Sequence, residues 1–193
     1  MFSLIVCSSD GIDSIATINS FIDTSKYEHE IIICCDDKST VPLNDAFPNA
    51  RIITYATVDR TSKINEAVKS AKYDKIIIVD GCVKFSDNLC SSILKTLQDR
   101  SAVAIPSTYG LDKSLWCAGD KYYSTFSFQW NLRIRYGNDG GQYSPLVCPS
   151  CFAFNKSWVE YVEYFDDLSL VNYQIEFSLR TWLLGGKIVK CGA

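Results

Sequence analysis

A chain of 193 residues, 47% hydrophobic and 21% charged, has the make-up of one ordinary globular domain. It is long enough to bury about 70% of its unfolded surface without disulfide or metal staples. The net charge of -3 excludes a global electrostatic pull toward nucleic acid, and no apolar run nears the roughly 18 residues of a membrane span.

The chain opens MFSLIVCSSDGIDS, which has no basic leader and turns polar early, so it reads as a first strand rather than a signal peptide. Nine cysteines, an odd number, then indicate free thiols in a reducing, cytoplasmic setting. Four short and nearly continuous apolar runs follow one another: FSLIVC (2–7), EIIICC (30–35), RIITYA (51–56) and KIIIVD (75–80). Such runs are typical of strands covered on both faces of a parallel sheet. Between them, Ile12, Ile15, Ala16, Ile18 and Phe21 give one helix its apolar side, and Ile64, Ala67, Val68 and Ala71 do the same for another. Leu89, Ile93, Leu94 and Leu97 mark a third helix. This alternation predicts an α/β domain with a mostly parallel sheet, whose ligand site lies outside the carboxyl ends of the strands.

Beyond residue 100 the character is mixed: VAIPS, the aromatic stretch KYYSTFSFQWNLRIRYG, the turn NDGGQ and the strand-like CFAFN. Ser157 and Glu160 have the spacing of a capping box for a helix WVEYVEYF, and Asn172 has the character of a cap for another helix reaching Trp182. In that last helix Ile175, Leu179, Trp182 and Leu183 form an apolar face, Glu176 and Arg180 are spaced i, i+4, and Gly185-Gly186 ends it.

The chemistry available is narrow. The single histidine, His29, directly precedes an apolar strand and reads as an edge residue; neither a P-loop nor a GxGxxG turn is present. Cys148-Pro-Ser-Cys151 is one CxxC without a second, too few ligands for a zinc site, and reads as buried small hydrophobes. What remains is a row of strand ends: Ser8, Ser9 and Asp10 after the first strand, Asp36 and Asp37 after the second, Asp80 after the fourth. Carboxylates there hold a nucleotide diphosphate through Mg²⁺ or Mn²⁺, or bond a ribose or base; the plain alternative is that acidic residues simply end strands.

These residues resemble the motifs of GT-A type glycosyltransferases over nearly the whole chain. CCDDKST (34–40) is similar to the family's second-strand VDDGS motif. KINEAVKSAKYDKIIIVDGC (63–82) is similar to its ARNxGxxxAxGexixxxDxD pattern, with Asn65 on the asparagine and Asp80 on the first DxD aspartate. In the second half, FQWNLRIRY (128–136), SPLVCPSCFAF (144–154) and YQIEFSLRTWLLGGKIVKC (173–191) resemble segments of the polypeptide N-acetylgalactosaminyltransferase branch.

The resemblance implies a single GT-A, Rossmann-like domain over 1–193, with a nucleotide-binding half (1–100) and a sugar- and acceptor-binding half (101–193). It implies transfer of a sugar from a nucleotide-diphosphate donor to a hydroxyl acceptor. Ser8, Ser9, Asp10, Asp36, Asp37, Lys63, Asn65, Asp80, Gly81 and Trp130 then form the donor site, Asp80 is the metal ligand for Mn²⁺ or Mg²⁺, and Asp80, Glu176 and Arg180 are the catalytic candidates.

The departures from the pattern matter equally. Cys82 stands where the family has its second metal ligand, the chain ends at Ala193 before a terminal metal histidine, and Tyr173-Gln174 replaces an acidic pair. An inverting enzyme needs a general base near that pair, for which Glu176 is the nearest carboxylate; a retaining enzyme needs it less, and the likeness of the second half favours retention. Arg180 has two readings, a helix-face partner of Glu176 or a contact to donor phosphate. Lys63, Arg133, Arg135 and Arg180 are the cations available to offset leaving-group charge.

The acceptor stays open among glycan, protein and a hydroxylated DNA base, in a phage or bacterial setting. Lys113, Lys121, Arg133 and Arg135 among Tyr122, Tyr123, Phe126, Phe128 and Trp130 would suit a nucleic-acid groove, but aromatic core strands are the favoured reading. The rival function is a non-catalytic GT-A module binding a nucleotide, a glycan or a partner protein.

Overall fold

Strand β1 (Phe2–Ser8) sends Phe2, Leu4 and Val6 to one side and Ile5 and Cys7 to the other, all buried, so both of its faces must be covered by helices. A computed structural model of the protein shows how. It describes residues 1–8, 11–36, 40–55, 60–106, 108–110, 116–118, 125–128, 134–137, 141–148, 150–166 and 173–191.

After β1 come α1 (Gly11–Thr24), β2 (His29–Asp36), α2 (Thr40–Ala46), β3 (Arg51–Tyr55), α3 (Arg60–Ser70), β4 (Lys75–Asp80), β5 (Val83–Phe85) and α4 (Leu89–Thr96). The second half holds β6 (Ala102–Pro106), β7 (Thr108–Gly110), β8 (Trp116–Ala118), β9 (Thr125–Phe128), β10 (Ile134–Gly137), β11 (Cys151–Asn155), α5 (Lys156–Tyr161), α6 (Tyr173–Leu183) and β12 (Lys187–Cys191). The main sheet has seven strands in the order β12-β6-β11-β4-β1-β2-β3, all parallel except β11, which runs antiparallel to both β4 and β6. β5, β8 and β7 form a small sheet and β9 pairs with β10, so part of the aromatic stretch is strand.

Two apolar layers flank the main sheet. On one face Leu4, Val6, Ile33, Ile77 and Val79 meet Ile18 and Phe21 of α1, Leu43 of α2 and Ile93 of α4. On the other Ile5, Ile32, Ile76, Ile78, Phe152 and Phe154 meet Ile64 and Val68 of α3, Val159 of α5 and Phe177 of α6. The result is a mixed, mostly parallel sheet between helices, in one domain, as the sequence pattern predicts.

Two expectations change. Ser157 is not the cap of α5: that position is Asn155, whose buried amide donates instead to the carbonyls of Leu97, Asp99 and Arg100. The helix start is served from outside, with the Ser157 N–H donating to the Asp74 carboxylate at 3.3 Å. The expected cap Asn172 lies outside the described residues. In α6 the apolar face formed by Leu179, Trp182 and Leu183 points outward, Leu183 being 83% exposed, whereas Tyr173, Gln174, Phe177, Ser178 and Thr181 are buried. The small polar residues let the helix approach closely and bond what they bury: Ser178 Oγ accepts the Val147 N–H at 3.0 Å, and the Trp158 indole N–H reaches Thr181 Oγ1 at 3.5 Å.

The helix ends as predicted, for two distinct reasons. Gly185 has φ +83°, a left-handed conformation suited to glycine, and Gly186 sits where a Cβ would collide with the Trp158 ring and lie 2.8 Å from the Ser101 carbonyl. Gly186→Ala is therefore expected to destabilise the fold by about 1–3 kcal/mol, the usual cost of overpacking, measured as a lowered urea midpoint with an unchanged slope.

Candidate functional site

In an open sheet of this kind the carboxyl ends of the parallel strands share one edge, where the polypeptide leaves the sheet and backbone groups become available to a ligand. β4, β1 and β2 are adjacent, and the register sets Cys7 beside Asp80, Ser8 beside Cys35 and Asp36 beside Tyr55. Ser8, Asp36 and Asp80 are thus the last residues of three neighbouring strands. Ser9, Asp10, Asp37, Trp130, Arg133, Lys113 and Lys121 lie outside the described residues, and Arg135 is placed only by its backbone in β10.

Asp80 sits in a braced turn. Its own N–H donates to the Ser150 carbonyl at 2.9 Å, tying it to the start of β11, and the buried Gly81 donates its N–H to the Cys7 carbonyl at 3.2 Å. Beyond the turn, the N–H of Val83 donates to Thr17 Oγ1 at 3.0 Å and that of Phe85 to Ser20 Oγ at 3.1 Å, both hydroxyls belonging to α1. The half-buried carboxylate therefore leaves the sheet on backbone held from β1, β11 and α1. Of the predicted residues at this edge, Asp80 and Gly81 are the ones with described backbone hydrogen bonds beyond the strand pairing.

The other described candidates make contacts of their own. Lys63 Nζ pairs with Glu66 at 3.0 Å, while its carbonyl accepts the Cys34 thiol at 3.8 Å. Asn65 makes both of its amide bonds to one residue: Nδ2 donates to the Phe165 carbonyl at 2.8 Å and Oδ1 accepts the Phe165 N–H at 3.1 Å. Arg180 is ion-paired to Glu176 and donates to the carbonyls of Val162 and of Tyr164, the latter at 2.7 Å. A depression of about 700 Å³ lies beside these contacts, lined in part by Thr61, Asn65, Lys69 and Phe165. The turn at 162–165 that collects these bonds had no signal in the sequence, because its residues are neither glycine nor asparagine.

Among the described cysteines whose side chains are placed no disulfide forms, and all but Cys82 are buried. The neighbouring Cys7 thiol and burial together push the Cys34 thiol far above its ordinary range, and burial does the same to Cys151, so these thiols behave as small hydrophobes. Cys148 and Cys151 of the CxxC are both buried, with Cys148 Sγ 3.1 Å from Ser150 Oγ.

Among the described residues no group of three His, Cys, Asp or Glu side chains is placed to hold a metal. The hard carboxylate oxygens of Asp80 would fit a divalent cation of the kind held by one or two carboxylates together with substrate phosphates rather than by a protein cage. Also among the described residues, no helix is long and apolar enough to cross a membrane.

No family model matches the chain, and no curated protein matches it in sequence. Solved structures do match in backbone. The crystal structure of GalNAc-T7 with UDP, GalNAc and Mn²⁺ superposes with a TM-score of 0.77 at 15% identity, covering 99% of this chain and 42% of that one. The fold is GT-A. Residues 1–349 of TarS from S. aureus match with a TM-score of 0.66 at 14% identity, over 98% of this chain and 57% of theirs. A 4-diphosphocytidyl-2C-methyl-D-erythritol synthase from Anaerococcus prevotii matches at 0.61 and 13% identity, over 98% of this chain and 87% of its own. The GT-A chain described here thus spans well under two thirds of the first two.

Because Cys82 is the one partly exposed thiol among the described cysteines whose side chains are placed, a limiting dose of iodoacetamide at neutral pH should modify it before Cys7, Cys34, Cys35, Cys90, Cys148, Cys151 or Cys191. Peptide mass mapping over time reads the order.

Proposed function

We propose that this chain is a nucleotide-sugar-dependent glycosyltransferase that holds its donor at the carboxyl edge of the main sheet. The observation that carries the reading is the convergence of Ser8, Asp36 and Asp80 on three adjacent strand ends, within a backbone that superposes at 0.77 on an enzyme crystallised with UDP and GalNAc. Asp36 or Asp37 contacts the nucleoside, the strand-end residues Ser8 to Asp10 and Gly81 border the pyrophosphate, and Trp130 borders the sugar. A divalent cation shared by Asp80 and the donor phosphates would supply neutralisation of leaving-group charge.

The reaction forms a bond from the anomeric carbon to an acceptor hydroxyl oxygen and breaks the bond from that carbon to the diphosphate, with the hydroxyl proton released. The protein's part is to hold the donor rigidly, which the braced Asp80 turn supports, and to place the acceptor near the anomeric carbon. Retention of configuration is supported by the state of Glu176: ion-paired to Arg180 and only 13% exposed at its side chain, it is poorly suited to take a proton from an acceptor.

A second reading, a GT-A module that binds without turnover, is supported by Cys82 at the second ligand position. Incubation with a panel of UDP- and GDP-sugars, including UDP-N-acetylgalactosamine, under Mn²⁺, Mg²⁺ or EDTA separates the two. Release of nucleoside diphosphate is the expected result; absence of release and of calorimetric binding for every donor would sink the enzyme reading, while binding without release would favour the module.

Two outcomes follow for the named residues. Asp80→Asn should lower nucleoside diphosphate release by about a hundredfold or more, the scale of losing one group that stabilises transition-state charge, with an unchanged circular dichroism spectrum. UDP with Mn²⁺ should slow alkylation of Cys82, two residues from Asp80, measured by the same mass mapping without any turnover.

A further inference from the structure

Glu163 and Tyr164 have φ of 65° and 67°, two successive residues with side chains in the left-handed region. Such a conformation persists only where its surroundings over-determine it, and it clusters at functional positions. Here the surroundings can be traced bond by bond. The N–H groups of Val162, Glu163 and Tyr164 donate to the carbonyls of Trp158 at 3.0 Å, Glu160 at 3.2 Å and Val159 at 2.8 Å, closing the end of α5. The Val162 and Tyr164 carbonyls accept from the Arg180 guanidinium, itself squared against the Glu176 carboxylate, and both peptide groups of Phe165 go to the Asn65 amide. Two helices distant in sequence therefore grip one four-residue turn, α6 at Val162 and Tyr164 and α3 at Phe165.

What the turn positions follows from the topology. It drives Phe165 into the core against Tyr173 at 5.4 Å and Phe177 at 4.9 Å between ring centroids, which fixes the first turn of α6. Phe177 also packs on Phe152 and Phe154 of β11, so α6 lies over the strand next to β4 on the side away from β1 and β2. Because α6 leads into the start of β12, its own start is directed toward the carboxyl edge.

We infer that Asn65, Glu176 and Arg180 are positioning residues: they clamp the strained 162–165 turn so that the first turn of α6 walls the sugar side of the site beside Asp80. This rests on the glycosyltransferase reading, and it assigns to the three residues a role that touches neither donor phosphate nor acceptor proton.

The test compares wild type with Asn65→Ala and Arg180→Ala, one from each helix, and adds Glu163→Gly with Tyr164→Gly in the Arg180→Ala background. Glycine adopts positive φ without steric cost, so it restores the turn when the clamp is gone. In each single variant, release of nucleoside diphosphate from the donor that wild type hydrolyses fastest should fall about tenfold to a hundredfold, the effect of a misplacement near the reacting centre. UDP affinity by calorimetry should stay within about twofold, since the nucleoside lies on the far side of β4 from α6. The glycines should recover most of the lost turnover.

Failure of the glycines to rescue, or a loss of UDP affinity matching the loss of turnover, would overturn the inference and return Arg180 to direct contact with the donor. Hydrogen exchange supplies an arm independent of activity: faster exchange confined to 162–166 and the start of α6 in both single variants supports the clamp, and unchanged exchange there overturns it. Should wild type release no nucleoside diphosphate at all, the functional reading fails while the exchange arm still decides the clamp.

Discussion

The burial of β4 on both faces and along both edges is the constraint on which the rest of the molecule depends. Ile76, Ile77, Ile78 and Val79 are all nearly inaccessible, with β1 hydrogen-bonded on one side and β11 on the other. A strand so enclosed has no register to slip into, since moving by one residue would turn Lys75 and Asp80 inward. Asp80 is the first residue past that enclosure, and its position is therefore set by the core rather than by the loop that follows. This is why a carboxylate at a strand end can serve chemistry that tolerates little displacement.

The opposite edge of the sheet is held by polar side chains. Lys75 Nζ bonds the Asn155 amide oxygen, Lys156 Nζ donates to the carbonyls of Lys69 at 2.8 Å and Ala71 at 3.1 Å, and Asp74 receives the start of α5. Long cationic side chains here close helix and loop ends by satisfying carbonyls that would otherwise need water. The two edges of one sheet thus carry opposite polar strategies, saturation at the amino edge and strand-end carboxylates at the carboxyl edge.

Much of the fold was legible because it rests on composition over short windows. Short continuous apolar runs with no alternation, rich in β-branched residues, are typical of strands covered twice, and KIIIVD, EIIICC and FSLIVC are all of that kind. Helix α2, seven residues with Pro42 inside, carries too short a pattern to stand out. The outward face of α6 was misleading because leucine and tryptophan dominate any reading by hydrophobicity, whereas Ser178 and Thr181 are buried for their small size and their hydrogen bonds. Asn65 illustrates a deeper limit. A motif can identify the residue, but whether its amide meets a ligand or a backbone 100 residues away is a property of the folded chain alone.

The antiparallel strand β11 has a consequence for how the chain reaches this state. Phe152 sits opposite Ile78, so the central strand cannot complete its pairing until synthesis has passed Asn155, well into the second half of the chain. During translation β4 can dock on β1 early, but its other edge remains an open apolar template for any passing strand. The long-range closure that braces Asp80 in the finished protein thus also leaves the growing chain with an open strand edge, and closures of this kind slow folding through topology rather than through the strength of any one contact.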